Sequence, residues 1–250
     1  MRHLLILLLL VLGLAVTGTA QAEDKEILIF GDIDYKPVSW QENGEMHGLA
    51  VAAVAHIRRS TGLPVRLVLQ PWNRSYKAAL AGEGGVIGLS HTRERAQLFD
   101  YSPLIYESQI RLTMLQNRAF PFDGVHSLRG RKVGGQLGAS YGEEIDNAVK
   151  TGSITMIRDT SIEVRLRNLL AGNIDCILMS SNVKALEDAV REVQRTDPEL
   201  MARAGKLVTL DKPVQSDPVY LAFRKDSLPP EIRQRIFDAL SRWKVPAQYQ

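Results

Sequence analysis

The chain has a single cysteine, Cys176, so no disulfide can form within it. Cys176 lies inside the apolar run Ile174 to Met179, the setting of a buried, inert thiol. His47, His56, His91 and His126 are scattered, no Cys/His cluster has metal-ligand spacing, and neither a metal nor a cofactor is expected. Gly-x-Ser-x-Gly and phosphate-loop patterns are missing, which removes those signatures of hydrolases and nucleotide binders. Excess charge is also scarce. The formal charge of +3 is too small and too dispersed to argue for a nucleic-acid partner. An unbroken apolar run occurs from Leu4 to Val16, shorter than the roughly 20 residues of a membrane-spanning helix.

That run, with Arg2 before it and Ala20-Gln21-Ala22 after it, has the layout of a cleaved export signal, residues 1–22. No cysteine follows it, which excludes a lipoprotein and leaves a freely diffusing exported protein. What is present in quantity is apolar content, 45% over 250 residues, enough for one or two compact domains.

The stretch that organises the chain is Gly85 to Ser108. Its apolar start, Val86 to Leu89 with Gly88 inside it, reads as a buried strand of a parallel sheet that breaks into polar residues at Ser90. In open α/β sheets ligands bind at this carboxyl edge, which places Ser90, Thr92 and Arg95 where a small molecule would be met. Arg95 offers a planar fork that matches a carboxylate bidentately. On the residues alone a solvated loop arginine is the commoner reading.

A weak internal repeat supports two similar α/β lobes. Tyr76, Ala79 and Leu80 make a helical face ending at Gly82, and Leu166, Leu169 and Leu170 make another ending at Gly172. Eight residues after each glycine a serine closes an apolar strand, Ser90 in one copy and Ser180 in the other. Further strands are expected at 26–30, 65–69, 132–135, 154–157 and 206–210, and helices at 48–60, 143–150 and from Pro230. Segments 109–115 and 214–224 are the candidate crossings between lobes.

The pattern Ser90, Thr92, Arg95, Tyr101, Ser102, Tyr106 resembles the signature of the family 3 extracellular solute-binding proteins, the periplasmic receptors for polar amino acids. The resemblance implies a type II periplasmic-binding-protein fold: two lobes, each an open, mostly parallel sheet flanked by helices, joined by two crossing segments that form a hinge. The lobes would be 23–109 with 217–250, and 110–216. It also implies that Arg95 holds the ligand carboxylate, that Asp32 faces the ligand's variable end and Tyr35 covers it, and that Trp72 forms the opposite wall. Tyr35 and Trp72 read equally well as packing aromatics. In the second lobe the loop 136–142, with Ala139 and Ser140, would cap the carboxylate.

Two departures from the family stand out. The first lobe has Gly85 where relatives carry an aspartate that Asp175 supplies in the second. Ser180 replaces the aspartate that pairs with the ligand's α-ammonium, and Ser180, Ser181 and Asn182 cannot neutralise a cation. If no other acid reaches the site, the expected ligand is a carboxylate whose amine is absent, acylated or placed elsewhere; Asp32 is the main escape, since a ligand turned end for end would put its ammonium there. The implied protein is a periplasmic monomer that hands its ligand to an inner-membrane ABC permease or a sensor domain. The enzymatic alternative, a dehydratase of the cyclohexadienyl type, needs a glutamate where this chain has Val183, so no catalytic residue is expected. A ligand-free scaffold is the third option.

Overall fold

The computed structural model describes residues 26–180 and 183–249. The export signal, Ser181, Asn182 and the Val183 side chain lie outside what is described.

The chain begins with β1 (Ile27–Asp32), a small antiparallel sheet of β2 (Asp34–Tyr35), β3 (Ser39–Glu42) and β4 (Glu45–His47), then α1 (Leu49–Thr61), β5 (Val65–Gln70), α2 (Trp72–Leu80), β6 (Gly85–Ser90) and α3 (Arg93–Leu98). A long strand, β7 (Phe99–Leu115), leads to β8 (Lys132–Gln136), α4 (Glu143–Lys150), β9 (Thr155–Asp159), α5 (Ile162–Leu170), β10 (Cys176–Ser180), α6 (Val183–Thr196), α7 (Pro198–Ala204) and β11 (Leu207–Thr209). Then β12 (Gln215–Arg224) returns to the first half, where α8 (Pro230–Ser241) packs.

The main sheet runs β5-β1-β6-β12-β7-β10-β8-β9, with β11 beside β7. Its outer thirds, β5-β1-β6 and β10-β8-β9, are parallel, and the strands between them are antiparallel. The helices bury one face each. On α1 the residues Leu49, Ala50, Ala53, Val54 and Ile57 recur at helical spacing, and Gly62 ends the helix in a left-handed turn. Ile29, Ile57, Leu221 and Phe223 are among the fully enclosed residues of this core, each contributing about 1.5–3 kcal/mol by leaving water. The second half has its own core around Leu112, Val133, Ile145 and Leu178, backed by Leu166, Leu169 and Val193. The buried residues change from one core to the other on β7 between Ile105 and Ile110.

The internal repeat is physical. Both α2 and α5 end on an alanine, Ala81 and Ala171, and turn through a left-handed glycine, Gly82 at φ 79° and Gly172 at φ 76°, before β6 and β10. The Gly85 departure also has a cause. A Cβ there would stand 2.7 Å from the Phe223 ring, which is fully buried across the β6–β12 pair. Phe223 occupies the space a side chain would need. Gly85→Ala should therefore cost about 1–3 kcal/mol by overpacking. Urea unfolding is the check, and unchanged stability would show that Phe223 can move aside.

Among the described residues no helix is long and apolar enough to cross a membrane.

Candidate functional site

The carboxyl ends of four strands converge on one cleft: β1 delivers Asp32, β6 Ser90, β8 Gln136 and β10 Ser180. Between them lies a cavity of about 90 Å³, small-molecule rather than peptide sized, which Tyr35, Trp72, Gly88, Arg95, Ala139 and Ser140 also line. Of the ten residues expected at a site, only Thr92 stands off this cavity. Its hydroxyl caps α3 by accepting from the Arg95 amide at 3.1 Å, so it fixes where Arg95 starts.

Arg95 is 6% exposed. It donates to the Ser90 carbonyl at 3.1 Å and, across the cleft, to the Gly138 carbonyl at 3.0 Å, and its guanidinium lies 4.9 Å from the centre of the Tyr76 ring. Gly88 lies beneath the Tyr35 ring, 3.4 Å from where a Cβ would stand. The Tyr35 hydroxyl reaches Asp217 at 3.4 Å, while Trp72 stacks on Tyr76 at 6.1 Å. Each ring thus has a partner of its own. Trp72 Nε1 is buried with no hydrogen-bond partner.

The loop 136–142 lines the cavity and is fixed by its own internal bonds. The Ser140 hydroxyl donates to Asp146, and the Tyr141 amide donates to the same carboxylate at 3.1 Å. Asp146, one turn into α4, thus supplies the anion that this helix start attracts. Arg158 pins the loop through the carbonyls of Gln136 (2.7 Å) and Ala139 (2.9 Å).

Several lining residues escape a reading of the sequence. Arg165, 5% exposed, is held by Asp159 through bonds of 2.8 and 3.1 Å. Burial opposes its charge, but the Tyr141 hydroxyl oxygen and Asp159 hold its pKa above the ordinary value. Asp34 and Asp217 add two carboxyls to Asp32, so the premise that Asp32 is the acid within reach does not hold. Asp32 accepts from Gln136 Nε2 at 2.7 Å and from the Asp34 amide at 3.2 Å. Asp217 is 7% exposed and faces the hydroxyls of Tyr35 and Ser90. Burial raises the pKa of Asp32 and of Asp217. The crowded cleft, and after it the charge of Asp32, push Asp34 up to about 6, although its exposed edge leaves it the most solvent-screened of the three.

Raised folded-state values mean that the folded chain binds more protons than the unfolded chain above about pH 4. The stability this contributes is complete below the unfolded value and is lost as pH rises through the folded values, about 6 for Asp34. Glu143 and Asp188, whose values are lowered, titrate below this window. The unliganded protein is expected to melt at a higher temperature near about pH 5 than near about pH 7.5. Melting temperatures rising steadily over that interval would contradict the charge arrangement.

Ion pairs span the cleft: Lys36 with Asp188 (2.7 Å), Arg93 with Glu143 (2.5 Å) and Lys150 with Glu94 (3.4 Å). Among the described residues no cluster of His, Cys, Asp or Glu is placed to hold a metal.

Two α/β halves joined by long antiparallel strands, with a polar cavity where their strand ends meet, define a two-lobed binding protein. The chain belongs to the bacterial extracellular solute-binding proteins, family 3, whose family model matches residues 27–244. The fold is similar to holo ArgBP from T. maritima, at 18% identity and a TM-score of 0.66 over 89% of this chain and 92% of that one. It is similar to the arginine-, lysine-, histidine-binding protein ArtJ from Geobacillus stearothermophilus, at 21% identity and a TM-score of 0.64 over 87% and 88%. A histidine kinase sensor domain with similarity to periplasmic binding proteins matches at 21% identity and a TM-score of 0.68 over 87% and 89%. No curated protein matches the chain.

Proposed function

We propose that this protein is a periplasmic receptor that traps a small, carboxylate-bearing, amino-acid-like molecule between its two lobes and releases it unchanged to a membrane partner. The observation that carries this reading is Arg95. It is a buried guanidinium at the carboxyl edge of the sheet, facing a cavity shared by both halves, with two backbone carbonyls and an aromatic face fixing its fork. Residues 23–109 with 217–250 act as one lobe and 110–216 as the other. Arg95 and three ion pairs reach across the cleft, which supports reading this arrangement as the closed one.

A permease and a sensor both read such closure, and the likeness to a kinase sensor domain keeps both as partners. Catalysis is not part of this reading, although the cleft holds carboxyls with raised pKa values, Asp34 among them at about 6, so the fate of the bound ligand is the deciding observation. Small-angle scattering with a panel of amino acids tests closure: a bound ligand should lower the radius of gyration. Mass spectrometry should then recover that ligand intact. A chemically altered ligand would favour the dehydratase alternative, and an unchanged radius at saturation would exclude closure.

A further inference from the structure

We propose that Asp217, on the crossing strand β12, is the ammonium acceptor of this site, so that the ligand carries a free amine beside its carboxylate. The inference rests on the reading of the cleft as an amino-acid-like site and names its second anchor.

The charges around the cavity do not balance without a ligand. Asp32, Asp34 and Asp217 face Arg95 and Arg165, and Arg165 is already paired bidentately with Asp159. Three carboxyls are left with the Arg95 guanidinium. Asp32 has the Gln136 amide and a backbone N–H, and Asp34 has water at its exposed edge. Asp217 is nine-tenths buried, faces the two hydroxyls of Tyr35 and Ser90, the former at 3.4 Å, and feels the charge of Arg95, the group that a ligand carboxylate would claim. Hydroxyls share a carboxylate's charge but do not neutralise it, and once a ligand carboxylate takes up the Arg95 guanidinium, the buried Asp217 carboxylate is stabilised by a ligand ammonium beside it. Burial raises its pKa, against the Ser90 and Tyr35 hydroxyls and Arg95, which lower it.

The geometry matches an α-amino acid. Arg95 donates to the main-chain carbonyl of Ser90, and Asp217 meets the Ser90 side chain. The positive and negative anchors therefore flank one residue, much as carboxylate and ammonium flank one carbon. Ser180, at the position from which an acid would be expected, ends the strand beside Ile110 and brings no charge.

The test titrates the intact protein by calorimetry with the free L-amino acids, their 2-hydroxy analogues and their N-acetyl derivatives. Wild type should bind at least one free amino acid at least about tenfold more tightly than its 2-hydroxy and N-acetyl counterparts. Asp217→Asn should lower the affinity for that amino acid at least about tenfold and leave the 2-hydroxy analogue within about threefold, which also shows that the variant is folded. Equal losses for both probes, or tighter binding of the 2-hydroxy acid by wild type, would overturn the role of Asp217 while leaving the carboxylate site standing. If no probe of any series bound wild type, the receptor reading would fall, and this inference with it.

Discussion

Replacing Arg95 by alanine should weaken binding of the tightest amino acid in the panel by about thirtyfold to several thousandfold. That range corresponds to about 2–5 kcal/mol for truncating one partner of a buried charge pair. The guanidinium is held in place before any ligand arrives, by the Ser90 and Gly138 carbonyls and the Tyr76 ring, so little ordering cost attends binding. Lysine cannot reproduce the planar fork, and Arg95→Lys should recover only part of the loss. The alanine variant also deletes a bond across the cleft, and its unliganded form should scatter as a more open molecule. Calorimetry decides the matter: affinity within about threefold of wild type would remove Arg95 from the site.

A loss of stability of about 3–5 kcal/mol is expected when Asp159 is replaced by alanine, because Arg165 then remains as a buried, uncompensated charge. Both side chains are 6% exposed, so water cannot easily take the place of the carboxylate. The cost is a large share of the roughly 5–15 kcal/mol that holds a domain folded. Removing both charges, as Asp159→Leu with Arg165→Met, should be much milder, since an apolar pair of similar volume often replaces a buried ion pair without penalty. Urea unfolding of the single and double variants separates the cases. Equal destabilisation by both would mean that packing, rather than the stranded charge, sets the cost.

The elements that announce themselves in the sequence are those whose burial is written as apolar runs or as helical spacing. Val86 to Leu89, the α1 face and the twin helix-glycine-strand units all appear where their patterns place them. Helix α3 is harder to read, because six residues give no periodicity and Thr92 is its main signal. The span from α6 to α7 could have been found from Leu186, Ala189, Val190 and Val193, which share a helical face, and from Asp197-Pro198 at the start of α7. Tyr101 to Tyr106 proves continuous with the crossing, forming one strand of 17 residues.

At the site the division is between local and distant partners. The strand-end position of Ser90 and the Thr92-x-x-Arg95 turn are local, and the sequence displays them. Arg165 looks like a surface charge beside the Leu166 stripe; its partner Asp159 is only six residues away, but no helical or strand period links the end of β9 to the face of α5. Asp217 is more hidden still. Its hydroxyl partner Tyr35 is 182 residues away, and no period marks which side of a crossing strand faces the cleft.

The pairing of β7 with β12 slips register at Val219/Tyr220 and again at Tyr220/Ala222, close to Asp217. Such slips let a two-stranded ribbon twist and bend more easily than a regular ladder. In the closure proposed above, the amine anchor sits on the strand pair that would flex, not on a cleft loop. Exchanging cleft loops with a relative would move the carboxylate grip and leave the amine preference behind. Under that proposal, changing the preference would mean altering the strand pair on which the two lobes turn, so the choice of ligand and the ease of closure would be tied to the same few residues.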